Sequence, residues 1–355
     1  MKKICFLFRL CVFFVFTGSI VHGDSADEFF ADHLIIDGTA NPTFRPGTNL
    51  TTFYEDRKGI TDFSELTNAT GLDVSIMSTS DWRSMERWQQ NIDNENFTNI
   101  AIIRSVRDLQ RVYEGKVSHG VMFYVQKPWP LNGSVRPIEE WFDAGLRVFQ
   151  ITYGEPTHKV SSRDRLGYGT DRGDPVKEDK GLTELGREVI DELNRLGIVV
   201  DVSHCNRQTT LDAVAHSKKP VVSSHAGCEA LVKHARNKSD EEIRAIAKSG
   251  GIFGVSCIGW MLNEKRERAS IDDFVEHLEH AIQVAGIDHV AISSDTYRNG
   301  WGKDSGHFAG EKLGSEQRWK HLYEALVDKG YRKDDLAKIF GLNWIRVLKA
   351  VIPAR

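Results

Sequence analysis

At 355 residues, with 40% apolar and 27% charged positions, the chain has the make-up of a globular protein large enough for one big domain or two ordinary ones. Its formal charge is −4 and no basic stripe is present, which argues against a nucleic-acid partner. Five cysteines are too few and too scattered to imply a disulfide framework, so the core must hold the fold.

The first residues, "MKKICFLFRLCVFFVFTGSIVHG", carry Lys2, Lys3 and Arg9 before a short apolar stretch and end in Val21-His22-Gly23. They read as a secretory signal over 1–23, with a single domain over 24–355 and a secreted or periplasmic destination. The competing reading is an uncleaved anchor, but the apolar stretch after Arg9 is short for a span, so no stable membrane span is expected after cleavage. Cys11 is a poor lipoprotein site, and "KAVIPAR" at the C-terminus offers no apolar tail for a GPI anchor. Cleavage leaves 43 basic against 50 acidic residues, a balance of −7, and retains Cys205, Cys228 and Cys257. Sequons stand at Asn49, Asn68, Asn96, Asn132 and Asn237 and matter only in a host that glycosylates.

Short apolar runs then recur: "HLIIDGTA" (33–40), "LDVSIMS" (72–78), "GVMFYVQ" (120–126) and "LRVFQITY" (146–153). They continue with "GIVVDVSH" (197–204), "PVVSSH" (220–225), "GIFGVSC" (251–257) and "HVAISSD" (289–295). Their near-continuous apolarity suits parallel strands buried on both faces. Between them lie amphipathic helices. One places Leu182, Leu185, Val189, Ile190, Leu193 and Leu196 at helical spacing and stops at Gly197; another opens on a Ser239-x-x-Glu242 capping box. Eight strand–helix alternations predict a (β/α)8 TIM barrel, with a doubly wound open sheet as its rival. No glycine-rich phosphate loop follows any strand. The polar stretches 154–181 and 296–314 break the rhythm and read as long loops.

A barrel's chemistry sits where its strands end. Those ends carry Thr39, Gln126, Tyr153, His204, His225 and Asp295. Two imidazoles and a carboxylate converging from three strands suit a divalent metal with an adjacent base; histidines hydrogen-bonded at the rim are the plainer alternative. Trp82, Trp88, Trp129, Tyr153, Trp260 and Trp301 could line a stacking pocket or simply pack beneath loops.

From about Asp81 to the C-terminus the chain resembles the membrane (renal) dipeptidase family of zinc hydrolases. The resemblance rests on "GLTELGREVIDELNRLGIVVDVSH", "VVSSHAGCEALVKHARN", "DEEIRAIAKSGGIFGV", "AGIDHVAISSD" and "FGLNWIRVLKAV", and extends more weakly to "LIIDGTANP". It implies a TIM barrel of the metal-dependent hydrolase type, His204 and His225 as ligands of one metal, Asp295 as the catalytic aspartate and Arg236 as the grip on a substrate carboxylate. A guanidinium suits that bidentate task. Three family positions depart. The first-strand His-x-Asp pair is Thr39-Ala40-Asn41, the bridging glutamate is Gln126, and a substrate-contacting histidine is Tyr153.

Replacing two anionic ligands by amides removes two negative charges from a place that must hold two cations ~3.5–4 Å apart. The resemblance with these departures implies one zinc per chain, with His158 in the long loop as a candidate replacement ligand. The expected function is a secreted hydrolase of a dipeptide or related amide or cyclic ester. The alternative is a catalytically inactive relative that binds a ligand or partner. The expected partner is a dipeptide-like small molecule, and a homodimer is left open.

Overall fold

A computed structural model describes residues 25–42, 61–79, 82–127, 131–154, 161–170, 180–265, 268–297 and 310–354. Its strands are β1 (Ile36–Asp37), β2 (Ala40–Asn41), β3 (Val74–Ser78), β4 (Ile100–Ile102), β5 (His119–Val125) and β6 (Leu146–Gln150). They continue with β7 (Val199–Asp201), β8 (Val221–Ala226), β9 (Phe253–Ser256), β10 (Val290–Ser293) and β11 (Thr296–Tyr297). The order β1-β3-β5-β6-β7-β8-β9-β10 is parallel at every pairing, and β4 pairs with the start of β5. The ring closes where the Gly38 amide donates to the Ile292 carbonyl at 3.1 Å. The expected barrel is therefore present, with helices alternating between its strands.

All eight expected runs contain a barrel strand. The sequence reading missed β4, whose three-residue apolar core is too short to stand out, and the two-residue pair β2–β11. It also carried "GIVVDVSH" as strand through His204, whereas β7 stops at Asp201. The Asp201 carboxylate accepts from the Ser203 amide at 2.9 Å, and the Cys205 amide donates to the Val202 carbonyl, so the chain turns there instead of extending.

Period-2 alternation sorts each strand's side chains into two cores. Met122 and Tyr124 join Ile36, Val74, Ile76, Val148, Val199, Val222 and Ala291 in one cluster, while Val121, Phe123 and Val125 join the helix-covered side. Helix Asn343–Val351 sends Trp344, Val347 and Leu348 into the first cluster.

Helix Glu184–Leu196 starts where Thr183 accepts from the Gly186 amide and ends at Gly197 (φ 85°). Helix Asp240–Lys248 has the expected capping box: Ser239 accepts from the Glu242 amide and the Glu242 carboxylate accepts from the Ser239 amide. That box anchors the loop that carries Arg236 and Lys238.

Gly254 on β9 has no room for a side chain, since a Cβ there would lie 2.1 Å from the Ser224 carbonyl oxygen on β8. Gly254→Ala is expected to push β9 off β8 and lower stability by about 1–3 kcal/mol in denaturant melts. His119, fully buried, donates from Nδ1 to the Leu72 carbonyl at 3.1 Å and accepts at Nε2 from Ser75 at 3.0 Å. Burial pushes its imidazolium down from 6.5 to about 4. The unfolded chain takes up this proton below pH 6.5 and the folded chain does not, so stability falls as pH drops from about 6.5 to 4. The share assignable to His119 is about 3 kcal/mol. His119→Asn, which keeps a donor toward Leu72, is expected to flatten that acid slope in melts taken from pH 7 to 4.

Candidate active site at the barrel mouth

His225 lies within β8, and His204 three residues beyond β7, on the turn described above. Their ring centroids are 5.2 Å apart with planes at 63°. Tyr153, three residues beyond β6, stacks on His204 at 4.3 Å. Gln126, the residue after β5, donates from Nε2 to His225 Nε2 at 3.1 Å and also hydrogen-bonds Asp295. Contacts thus link His204 to His225 and Tyr153, and Gln126 to His225 and Asp295.

Both imidazoles are held well below their usual range. Burial is the main cause for each; the Arg236 and Lys238 charges add to it, and His225 adds to it for His204. They are neutral at physiological pH, the form in which a ring nitrogen can donate its lone pair. His204 Nδ1 is buried with no hydrogen-bond partner among the described residues.

Asp295 follows β10 and adopts a left-handed backbone (φ 50°), uncommon outside glycine. Its amide donates to the Thr39 carbonyl at 2.7 Å, which fixes the turn. Part of its surface reaches solvent, but the carboxyl is densely surrounded. Burial pushes it up to about 7; Asp37 adds to that, while Arg236 and the Gln126 hydrogen bond oppose it.

Arg236 is 2% exposed and reaches under the mouth, where Nη1 donates to the Ser203 carbonyl. Its Nη2 is buried without a hydrogen-bond partner among the described residues. Lys238 is tied to the Glu242 carboxylate at 3.2 Å and to the Cys205 carbonyl at 2.7 Å, so its charge is locally met.

Thr39 and Asn41 are placed differently. Thr39 Oγ1 stands 3.2 Å from His225 Nδ1 and donates to the Gly38 carbonyl at 2.7 Å. Asn41 lies in β2 and lines a small recess with Thr296, Arg318 and Trp319. Among the described residues no three histidine, cysteine, aspartate or glutamate side chains are grouped to hold an ion. His158, Trp129 and Trp301 lie outside the described residues. Tyr153 and Tyr124 lie against the imidazoles, whereas Trp88 is core beside Phe63 and Phe97, Trp260 lies tilted against His234, and Trp82 is exposed.

Sequence reasoning missed the layer beneath. Asp201, at 0% exposure, accepts from Tyr124 Oη (2.5 Å), Ser203 Oγ (2.7 Å), Ser224 N (3.0 Å) and Ser224 Oγ (2.6 Å), besides Ser203 N. Asp37, at the end of β1, accepts from Ser294 N, Thr39 N and Trp319 Nε1, and burial pushes it up to about 6. The available signal was a polar residue inside an otherwise apolar run, Asp37 in "LIIDG" and Asp201 in "IVVDV".

Residues 82–354 match the family model of the membrane dipeptidases, peptidase family M19. An uncharacterised protein of the pqqA 5′ region of Klebsiella pneumoniae is 30% identical over 71% of this chain and 89% of its own length. Dipeptidase tcpJ of Claviceps purpurea is 33% identical over 48% of this chain and 39% of its own. Among solved structures, an amidohydrolase from Pseudomonas aeruginosa superposes with TM-score 0.75 at 25% identity, covering 92% of this chain and 99% of that one. A Rhodobacter sphaeroides metallopeptidase, liganded with a phosphinate mimic of L-Ala-D-Ala, shares the fold with TM-score 0.72 at 18% identity, covering 90% and 100%. The chain belongs to the membrane dipeptidase family, peptidase family M19.

Proposed function

We propose that the barrel mouth is the active site of a secreted hydrolase that cleaves a dipeptide or a related small amide, using one divalent metal, zinc by its donor chemistry, rather than two. The observation that carries this reading is the pair of adjacent neutral imidazoles facing a near-neutral carboxyl and a buried guanidinium with one unpartnered end. Family membership supports the reaction class.

The donor set does not fit a metal pair. Thr39, Asn41 and Gln126 supply no charge to offset the repulsion between two cations. A single ion asks less: His204 and His225 would supply two of its ligands, a third would have to join them, and the ion would supply Lewis acidity at the scissile carbonyl. The protein's own groups do the rest. Nη2 of Arg236 takes the ligand's carboxylate, a reading supported by its buried position without a hydrogen-bond partner among the described residues. Tyr153, stacked on His204, forms a wall of the mouth. Asp295 moves the proton, since a carboxyl with pKa about 7 both accepts and releases one near neutrality.

A second reading, ligand binding without turnover, has its own supporting observation. Gln126 occupies the Nε2 lone pair of His225 and ties that ring to Asp295 through one neutral amide.

Metal analysis of protein purified without chelator, followed by a dipeptide panel, separates the two. About one zinc per chain, lost in His204→Ala and His225→Ala, together with dipeptide turnover, supports the hydrolase. Dipeptide binding with neither metal nor turnover supports the second reading. For the hydrolase, kcat/KM is expected to fall as pH drops through about 7, where Asp295 becomes protonated. Asp295→Asn is expected to abolish that limb and cost about 10²–10⁴-fold in rate. Arg236→Lys, which keeps the charge but not the fork, is expected to raise KM about tenfold or more.

A further inference from the structure

We infer that Asp201, acting through Ser224, fixes His225 as its Nδ1–H tautomer and thereby turns the Nε2 lone pair toward the barrel mouth. Asp201 is a positioning residue, reaching the ring through one hydroxyl. The inference deepens the site reading above and rests on it only for the consequence to turnover; the tautomer itself follows from hydrogen-bond geometry.

Two oxygens face His225 Nδ1: Ser224 Oγ at 2.8 Å and Thr39 Oγ1 at 3.2 Å. Each hydroxyl has one hydrogen, and each hydrogen has a closer acceptor. Ser224 Oγ lies 2.6 Å from Asp201 Oδ2, and Thr39 Oγ1 lies 2.7 Å from the Gly38 carbonyl. With both hydrogens committed, the two oxygens offer only lone pairs to the ring, so Nδ1 carries the proton. Nε2 is then an acceptor, which agrees with the Gln126 amide donating to it at 3.1 Å. The backbone reinforces the arrangement, for the His225 amide donates to Ser203 Oγ, which itself donates to Asp201.

The direction of this chain is set by Asp201, and one atom can reverse it. Asp201 Oδ1 faces two backbone amides, Ser203 N at 2.9 Å and Ser224 N at 3.0 Å, and Ser203 Oγ at 2.7 Å. Oδ2 faces only the Tyr124 and Ser224 hydroxyls. In Asp201→Asn the two amide donors hold the new carbonyl at the Oδ1 side, and the NH2 group takes the Oδ2 side. Tyr124 then accepts from it and turns its one hydrogen to Gln150 Oε1, 2.5 Å away. Ser224 likewise becomes an acceptor toward residue 201, and its hydrogen turns to His225 Nδ1. The ring then moves its proton to Nε2, with the Gln126 amide turning its oxygen to accept it, and the lone pair that faced the mouth is closed.

The test is a long-range ¹H–¹⁵N correlation spectrum of the full chain labelled with ¹⁵N-histidine, dialysed against chelator and recorded near neutral pH. The His225 signals are assigned by their loss in His225→Gln. The expected result is Nδ1–H in the wild type and Nε2–H in Asp201→Asn. A wild-type ring protonated at Nε2 overturns the inference, as does Asp201→Asn that folds and keeps Nδ1–H. Should that variant fail to fold, the double variant Ser224→Ala/Thr39→Val carries the test. It removes both oxygens, and with Gln126→Leu added the donor facing Nε2 is gone as well, so a mixture of tautomers is expected, and a pure Nδ1–H ring overturns the role of the chain. In the hydrolase assay Asp201→Asn is expected to lose about 10- to 100-fold in kcat/KM. An Nδ1–H ring in a protein without turnover sinks the hydrolase reading alone, and an Nε2–H ring in an active protein sinks this inference alone.

Discussion

A carboxylate sealed inside a protein must have its lone pairs met by donors, because an unmet buried charge costs several kcal/mol. Asp201 meets that constraint with two backbone amides and three hydroxyls drawn from three strands or their ends, β5, β7 and β8. The donors on β8 are the amide and hydroxyl of Ser224, the residue before His225. The turn that ends β7 and places His204 is closed by the Ser203 amide on the same carboxylate. Both imidazoles thus inherit their positions from one buried anion. Asp37 plays the matching part at the barrel's closure, where it joins the β1 end to Ser294 after β10 and so sets the approach to Asp295.

Above this layer Thr39 and Gln126 line the mouth with hydrogen-bonding groups. A glutamate at position 126 could only accept, so it would need a cation or a proton between itself and Asp295. The Gln126 amide is a donor, and its NH2 bridges the His225 lone pair and the Asp295 carboxyl with no ion. Thr39 has a similar effect, since its hydroxyl supports the His225 ring from the Nδ1 side rather than offering a ligand nitrogen. Thr39 and Gln126 therefore hold the His225 ring from its two nitrogens.

The barrel was legible because its runs are apolar on both faces and its helices carry sharp signals, Thr183 and Gly197 at one, Ser239 and Glu242 at another. β4 was not, since three apolar residues fit many local structures. Resemblance together with strand ends brought out His204, His225, Asp295, Gln126 and Tyr153, all of which meet. Asp201 and Ser224 stayed hidden for a physical reason. Their roles depend on contacts between neighbouring strands, and a single sequence shows alternation within a strand but not register across strands. The new work of Thr39 was equally hidden, for its partner is 186 positions away.

Charge balance at the mouth decides what it can hold. Asp37 and Asp295 are both pushed up by burial, and Asp37 raises Asp295 further, so together they carry less than two full negative charges near pH 7. Arg236 faces Asp295 and Arg318 faces Asp37, each offsetting part of that charge. Lys238 is already matched by Glu242. Two divalent ions would bring four positive charges, and among the described residues no three histidine, cysteine, aspartate or glutamate side chains are grouped to receive an ion. One ion on two neutral imidazoles asks much less of the surroundings, and an anionic ligand arriving at Arg236 brings its own negative charge with it. On these electrostatics a carboxylate-bearing ligand and a cation would each raise the other's affinity for the mouth.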